Sequence, residues 1–310
     1  MAEMRGDEER LARLTPYEMV FGAAAFEETL FPGIRDEVEE RGGDAAEPDR
    51  FLFLTSVGKL LRMIAGDVPP PGAIGGQEGA VERAVDAAEA RRAADTAVRE
   101  HGQLLFQAYN FWRRGRHLFL LAPEALGAVL GGTADEEVGA LQAPQPAGYL
   151  QLPRHRVWAR AAEGLQPEAV DGIFWTVSSR VEDRAARLDL LLVLGMRPDR
   201  AGFSVVPVGT VLEGDGRPGD WISDARAEGD DFANTLPGGE LESLISLETG
   251  AEVLKLVALW FQYLERHPEA LGAEERNSPD ATPESPHALP PSLLAYRRIG
   301  GTAADPADGD

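Results

Sequence analysis

The run Leu188 to Leu194, LDLLLVL, constrains the fold most, because it is apolar at odd and even positions alike apart from Asp189. A strand with that pattern is covered on both faces, so the chain has to supply packing layers on either side of a sheet. Neighbouring runs at 149–160, 170–179 and 202–212 are also rich in β-branched and aromatic residues, and with 188–197 they predict four consecutive strands. Pro153 and Pro207 each remove a ladder donor, which favours edge or bulged positions for the first and fourth runs. The connections around Gly164–Pro167 and Arg197–Gly202 are short enough for hairpins, and the sheet is expected to be mainly antiparallel. A carboxylate within the most apolar strand needs solvent or a partner, so Asp189 is expected at the strand entry or paired to an arginine.

Helical patterns dominate the chain before the sheet. Thr15-Pro16-Tyr17-Glu18 combines a capping threonine, a proline at the first helical position and a glutamate three residues after the cap. The helix it opens offers Met19, Phe21, Phe26, Leu30 and Phe31 to a core, with a break or kink at Pro32-Gly33 before a charged helix over 34–41. A second opening at Glu47-Pro48-Asp49 leads into FLFLTSVGKLLRMI, apolar nearly all round and so expected to be buried. Residues 66–79, rich in proline and glycine, read as a loop, and 80–114 as a long helix with a bulky second half. His117–Leu121 fits a short strand, Pro123–Leu130 a helix ended by Gly131-Gly132, and Val253–Leu264 a hydrophobic core helix.

The resulting class is α+β: an N-terminal helical half packed with a mainly antiparallel sheet, one C-terminal core helix and a disordered C-terminal tail. The divisions expected are a flexible start at 1–14, a helical region at 15–132, a linker at 133–147, a β-rich region with its closing helix at 148–268, and a mostly disordered tail at 269–310. Within that tail LLAYRRI, residues 293–299, is the exception, able to dock as a short strand or to recognise a protein partner.

Charge and cysteine content exclude several chemistries. A formal net charge of -22 opposes a generic phosphate-backbone binder, so nucleic acid is disfavoured as a partner. With no cysteine there are no disulfides, zinc–thiolate sites or cysteine nucleophiles. No stretch reaches the ~18 apolar residues of a membrane span, and the charged start lacks a signal-peptide core, so no membrane partner and a cytoplasmic, bacterial-type protein are expected.

Motifs for familiar chemistries fail on inspection. Gly58-Lys59 lacks the upstream glycine and the following Ser/Thr of a phosphate loop, and Ser56-Val57-Gly58-Lys59 matches an SxxK spacing without its companion elements. The five histidines are scattered without ligand spacing, and no metal or cofactor is expected. Asp215, Asp220, Asp224, Asp230 and Asp231 lie among glycines but lack the alternation of a calcium loop.

Two basic clusters remain as the candidate ligand site. Arg113 and Arg116 stand beside Trp112 at the end of the long helix, and Arg154, Arg156 and Arg160 flank Trp158 in the first strand run. Guanidinium groups beside an indole can hold an anion or stack a planar group. Strand alternation would put Arg154, Arg156, Trp158 and Arg160 on one face. The function expected is that of a non-enzymatic binding or protein-interaction protein. The alternative is a hydrolase or transferase acting on a phosphorylated or nucleotide-like substrate, with Asp171, Glu182, Asp183 or Asp189 as acid/base candidates and no identified catalytic residue beyond them.

Overall fold

The computed structural model describes residues 11–41, 48–60, 100–131, 142–159, 166–179, 186–197, 202–212, 245–247, 250–283 and 288–300. The expectations placed on 61–99, on Arg160, on Glu182 and Asp183, and on the acidic loop from Asp215 to Asp231 lie outside those residues. The chain divides into two compact units, Ala23–Tyr109 and the remainder, Met1–Gly22 with Asn110–Asp310.

Within Ala23–Tyr109, a π-helical turn at Phe26–Leu30 runs into α2, Phe31–Glu40, so the helical backbone continues through Pro32 with a change of helix type where a break or kink was expected. Pro32 has no N–H to donate, and it sits where the π-helical turn gives way to the α-helix. α3, Pro48–Leu54, packs Phe51 against Phe106 and Tyr109, the latter two on a helix spanning 100–113 that we call α4. Phe51 is buried, but Phe53 is 70% and Leu60 55% exposed, which corrects the expectation of burial all round.

The other unit is built on the sheet. Its strands are β1 Leu118–Leu121, β2 Ala147–Gln151, β3 Val157–Ala159, β4 Glu168–Ser179, β5 Ala186–Leu194, β6 Ser204–Leu212, β7 Ile245–Leu247, β8 Leu271–Glu275 and β9 Tyr296–Ile299. Their order is β6-β5-β4-β2-β1-β9-β8, with β3 pairing β4 and β7 off that path. Most pairings are antiparallel, but β1 runs parallel to both β2 and β9, and β3 parallel to β7. The fold is thus mixed α+β on a mostly antiparallel sheet.

Leu188–Leu194 is the strand its composition demands, buried between β4 and β6. Leu188, Leu190, Leu192 and Leu194 face a core shared with α6, Gly250–Arg266, and with α5, Pro123–Gly131. On α6 Trp260 is 1% exposed and meets Trp175 of β4 and Phe119 of β1. The opposite face of β4 is also covered, with Phe174 against Tyr149 and against Phe111 at the end of α4. Asp189 is 2% exposed and receives Arg187 Nε at 3.0 and 2.9 Å on its two oxygens, so the arginine pairing anticipated for it is present.

Two expectations fail. The run 149–160 is two strands: β2 ends before Pro153, and residues 154–156 turn with His155 at φ 57 before β3 begins. Reading 269–310 as mostly disordered fails at β8, whereas β9 is the short docked strand allowed for 293–299; the two pair with each other, β9 also lying beside β1. β8 escapes a composition argument because its ladder is backbone and most of its side chains stay exposed. The segment before β9 is tied to the first helix, α1, Pro16–Phe21. Glu18 accepts Thr15 N–H at 2.9 Å in the expected capping box, Ser292 Oγ–H at 2.8 Å and Leu293 N–H at 2.7 Å.

Candidate functional site

Three backbone irregularities gather at one end of the sheet and open a cleft of about 330 Å³. The first is a register shift in β4: Val170 pairs Leu194 and Gly172 pairs Val193, leaving Asp171 as the extra residue of a bulge. A bulge re-aims the inserted side chain, and here the Asp171 carboxylate lines the cleft. The second follows β5, where Gly195 takes φ +68 and donates its N–H to Ala169 O at 3.0 Å. A Cβ at Gly195 would stand 2.9 Å from Glu168 Oε2, a side-chain end that can move aside, so the left-handed backbone is what favours glycine here. The third is the turn at 154–156, which carries Arg154 and His155 to the rim beside Trp158 of β3.

Asp171 is anchored by these irregularities. Its Oδ2 accepts Met196 N–H at 2.7 Å, and its own carbonyl accepts Leu152 N–H at 3.0 Å. It is 7% exposed, and burial pushes its carboxyl above the ordinary aspartate range. Arg13, the Met196 N–H and Arg154 act in the opposite direction. Behind it, buried Arg13 donates Nη2–H to Leu152 O at 2.7 Å and its backbone N–H to Gln151 Oε1 at 2.8 Å, which fixes the strand end from the inside.

Trp158 donates its indole N–H to His155 O at 3.2 Å, and the two rings lie 6.1 Å apart at 33°. Arg154 and Arg197 line the cleft from two different loops, and neither forms a hydrogen bond or ion pair through its side chain with a described residue. The described lining contains no serine, threonine or lysine.

The expected site residues are distributed as follows. Arg154 and Trp158 meet at the cleft, while Arg156 lies exposed on the turn outside its described lining, because the turn replaces the strand alternation invoked for all four residues. Arg113, bonded through Nε to Asn110 at 2.9 Å, and Arg116, at φ 58, precede β1. The parallel pairing of Leu118 with Tyr149 puts that end of β1 beside the start of β2, whereas Arg154 follows the end of β2. The two arginine clusters therefore do not form one site. Asp189 pairs with Thr176, five residues along β4 from Asp171, ~17 Å away at strand rise. Sequence reasoning missed Arg197 and Gly195 as cleft residues. The usable signal was Asp171-Gly172 inside a strand, since glycine within a strand marks bulges.

No family model matches this chain, and no curated protein matches it. Among solved structures, the crystal structure of AcrVA2 is similar over 91% of this chain and 81% of that chain, at 10% sequence identity and a TM-score of 0.44. A likeness of that size carries no argument about function. No helix among the described residues is long and apolar enough to cross a membrane.

Proposed function

We propose that the protein is a non-enzymatic binding protein whose cleft at the Asp171 bulge holds an anionic group. The observation that carries this reading is the convergence of Arg154 and Arg197 on one concavity, neither held in an ion pair with a described residue although the Asp171 and Glu168 carboxylates line the same concavity, in a chain of net charge -22. Surplus carboxylates would ordinarily neutralise such arginines, and each charge-assisted hydrogen bond to a ligand contributes on the order of 1.5–3 kcal/mol. Trp158 adds a planar wall against which a ring can stack. A protein partner for the C-terminal segment would engage the loop around Leu293, which is 80% exposed, because β9 lies inside the sheet.

The second reading, a hydrolase or transferase on a phosphorylated or nucleotide-like substrate, draws support from Asp171, a carboxyl raised by burial beside arginines. It ranks lower because the described lining offers no hydroxyl or amine nucleophile.

A thermal-shift comparison of parent and Arg154→Ala/Arg197→Ala with inorganic phosphate, nucleotides and short oligonucleotides tests the proposal. The parent is expected to be stabilised by at least one small anion, with the shift abolished in the double variant. Identical shifts in both proteins, or none in either, would remove the anion site. Turnover of a phosphate ester by the parent, lost in Asp171→Asn, would establish the second reading.

A further inference from the structure

The cleft is not uniformly cationic, and its polarity says more about the ligand than its arginines do. Arg154 and Arg197 line it together with two carboxylates, Asp171 and Glu168. Among the described residues the Asp171 side chain accepts one hydrogen bond, on Oδ2 from Met196 N–H at 2.7 Å, so Oδ1 has no described donor. Arg154 is close enough to favour the ionised carboxylate but forms no ion pair with it. A nearly buried acceptor with an open oxygen gains far more from a hydrogen-bond donor than an exposed one does, because the surroundings screen it less. The volume of about 330 Å³ corresponds to roughly eleven water molecules and sits at the small end of ligand pockets. A small molecule fits that space and a polymer does not.

We propose, building on the anion reading above, that the ligand is dipolar: a small phosphate or carboxylate compound whose ammonium or other N–H group reaches Asp171 Oδ1 while its anion lies between Arg154 and Arg197. The arginines and the Asp171 carboxylate then act together, and a plain anion, which meets the Asp171 and Glu168 carboxylates without offering them a donor, binds less well.

Isothermal titration at pH 8 with monoethyl phosphate, phosphoethanolamine and ethylamine separates the possibilities, since both phosphates are dianions there and differ in the ammonium. For the parent, phosphoethanolamine is expected to bind about tenfold tighter than monoethyl phosphate, and ethylamine not measurably. In Asp171→Asn, which keeps an oxygen for Met196 N–H, the ratio between the two phosphates should fall to about one. In Arg197→Ala both should weaken by about tenfold with the ratio preserved. Equal affinities of the parent for the two phosphates overturn the dipolar assignment and leave the anion reading standing. A ratio that survives in Asp171→Asn also overturns it, and so does ethylamine binding as tightly as phosphoethanolamine. Absence of binding by either phosphate overturns both readings together. Should Asp171→Asn fail to fold, the comparison of ligands on the parent still decides the matter.

Discussion

Trp175 of β4 and Trp260 of α6 meet edge to face, their ring centroids 4.9 Å apart at 75°. The contact joins the sheet to its covering helix, and Phe119 and Phe261 pack around the same pair. Truncating Trp260 to alanine should cost roughly 3–5 kcal/mol, read as a lowered denaturant midpoint. Trp260→Phe should cost much less, because the buried indole Nε1 has no hydrogen-bond partner to lose. Equal midpoints for Trp260→Ala and the parent would show that α6 is peripheral.

Arg187 and Asp189 make a different kind of contact, a charge pair at 2.9 Å in which the aspartate side chain is 3% exposed and the arginine 27%. Arg187→Met should destabilise by about 3 kcal/mol, since it removes the cation from a buried carboxylate. Arg187→Met/Asp189→Leu should recover most of that loss. Urea melts of the two variants check both statements, and additive losses would contradict them.

For Asp171 the effect of pH has a definite sign. Its carboxyl is raised above the ordinary value of about 3.9, so above that pH the unfolded chain releases this proton while the folded protein still holds it. Stability therefore falls as pH rises from the unfolded pKa to the folded one and levels off beyond. Asp171→Asn lacks this titration, so the stability of the variant minus that of the parent should increase across the same window. Taking the difference cancels the other carboxylates. A difference independent of pH from 3 to 7 would mean that burial does not shift this group.

Glu18 joins two distant stretches of chain, accepting Thr15 N–H and Thr15 Oγ–H on one side and Ser292 Oγ–H and Leu293 N–H on the other. Glu18→Ala should cost about 2–3 kcal/mol. It should also raise the hydrogen-exchange rate of the Leu293 amide far more than that of the amides in β5. Unchanged protection at Leu293 would contradict the tie.

What the sequence made legible follows from which forces it displays. The burial of Leu188–Leu194, the capping box at Thr15 and the helix around Trp260 depend on side-chain polarity and local hydrogen bonding, and each is present as expected. β8 depends on backbone pairing to a strand far along the chain, which composition does not register. Half of the cleft was visible, as Arg154, Trp158 and Asp171. The other half, Gly195 to Arg197, is brought there by the hydrogen bonds from Gly195 N–H and Met196 N–H, and no local pattern marks a tertiary contact of that kind. The alternation that grouped Arg156 with Arg154 assumed a continuous strand, and Pro153 with the left-handed His155 ends it.

The parallel seat of β9 beside β1 also bears on how the chain is made. β1 has one neighbour soon after it in β2, but the other cannot arrive until Tyr296–Ile299 has been synthesised. At about 5–20 residues per second, the stretch from Leu121 to Tyr296 occupies a ribosome for on the order of ten to thirty seconds. Through that interval the apolar strand LFLL carries an open edge, the kind of surface on which nascent chains pair with each other. A message translated slowly over this stretch should therefore yield more aggregate than one translated fast, with no change in the finished protein.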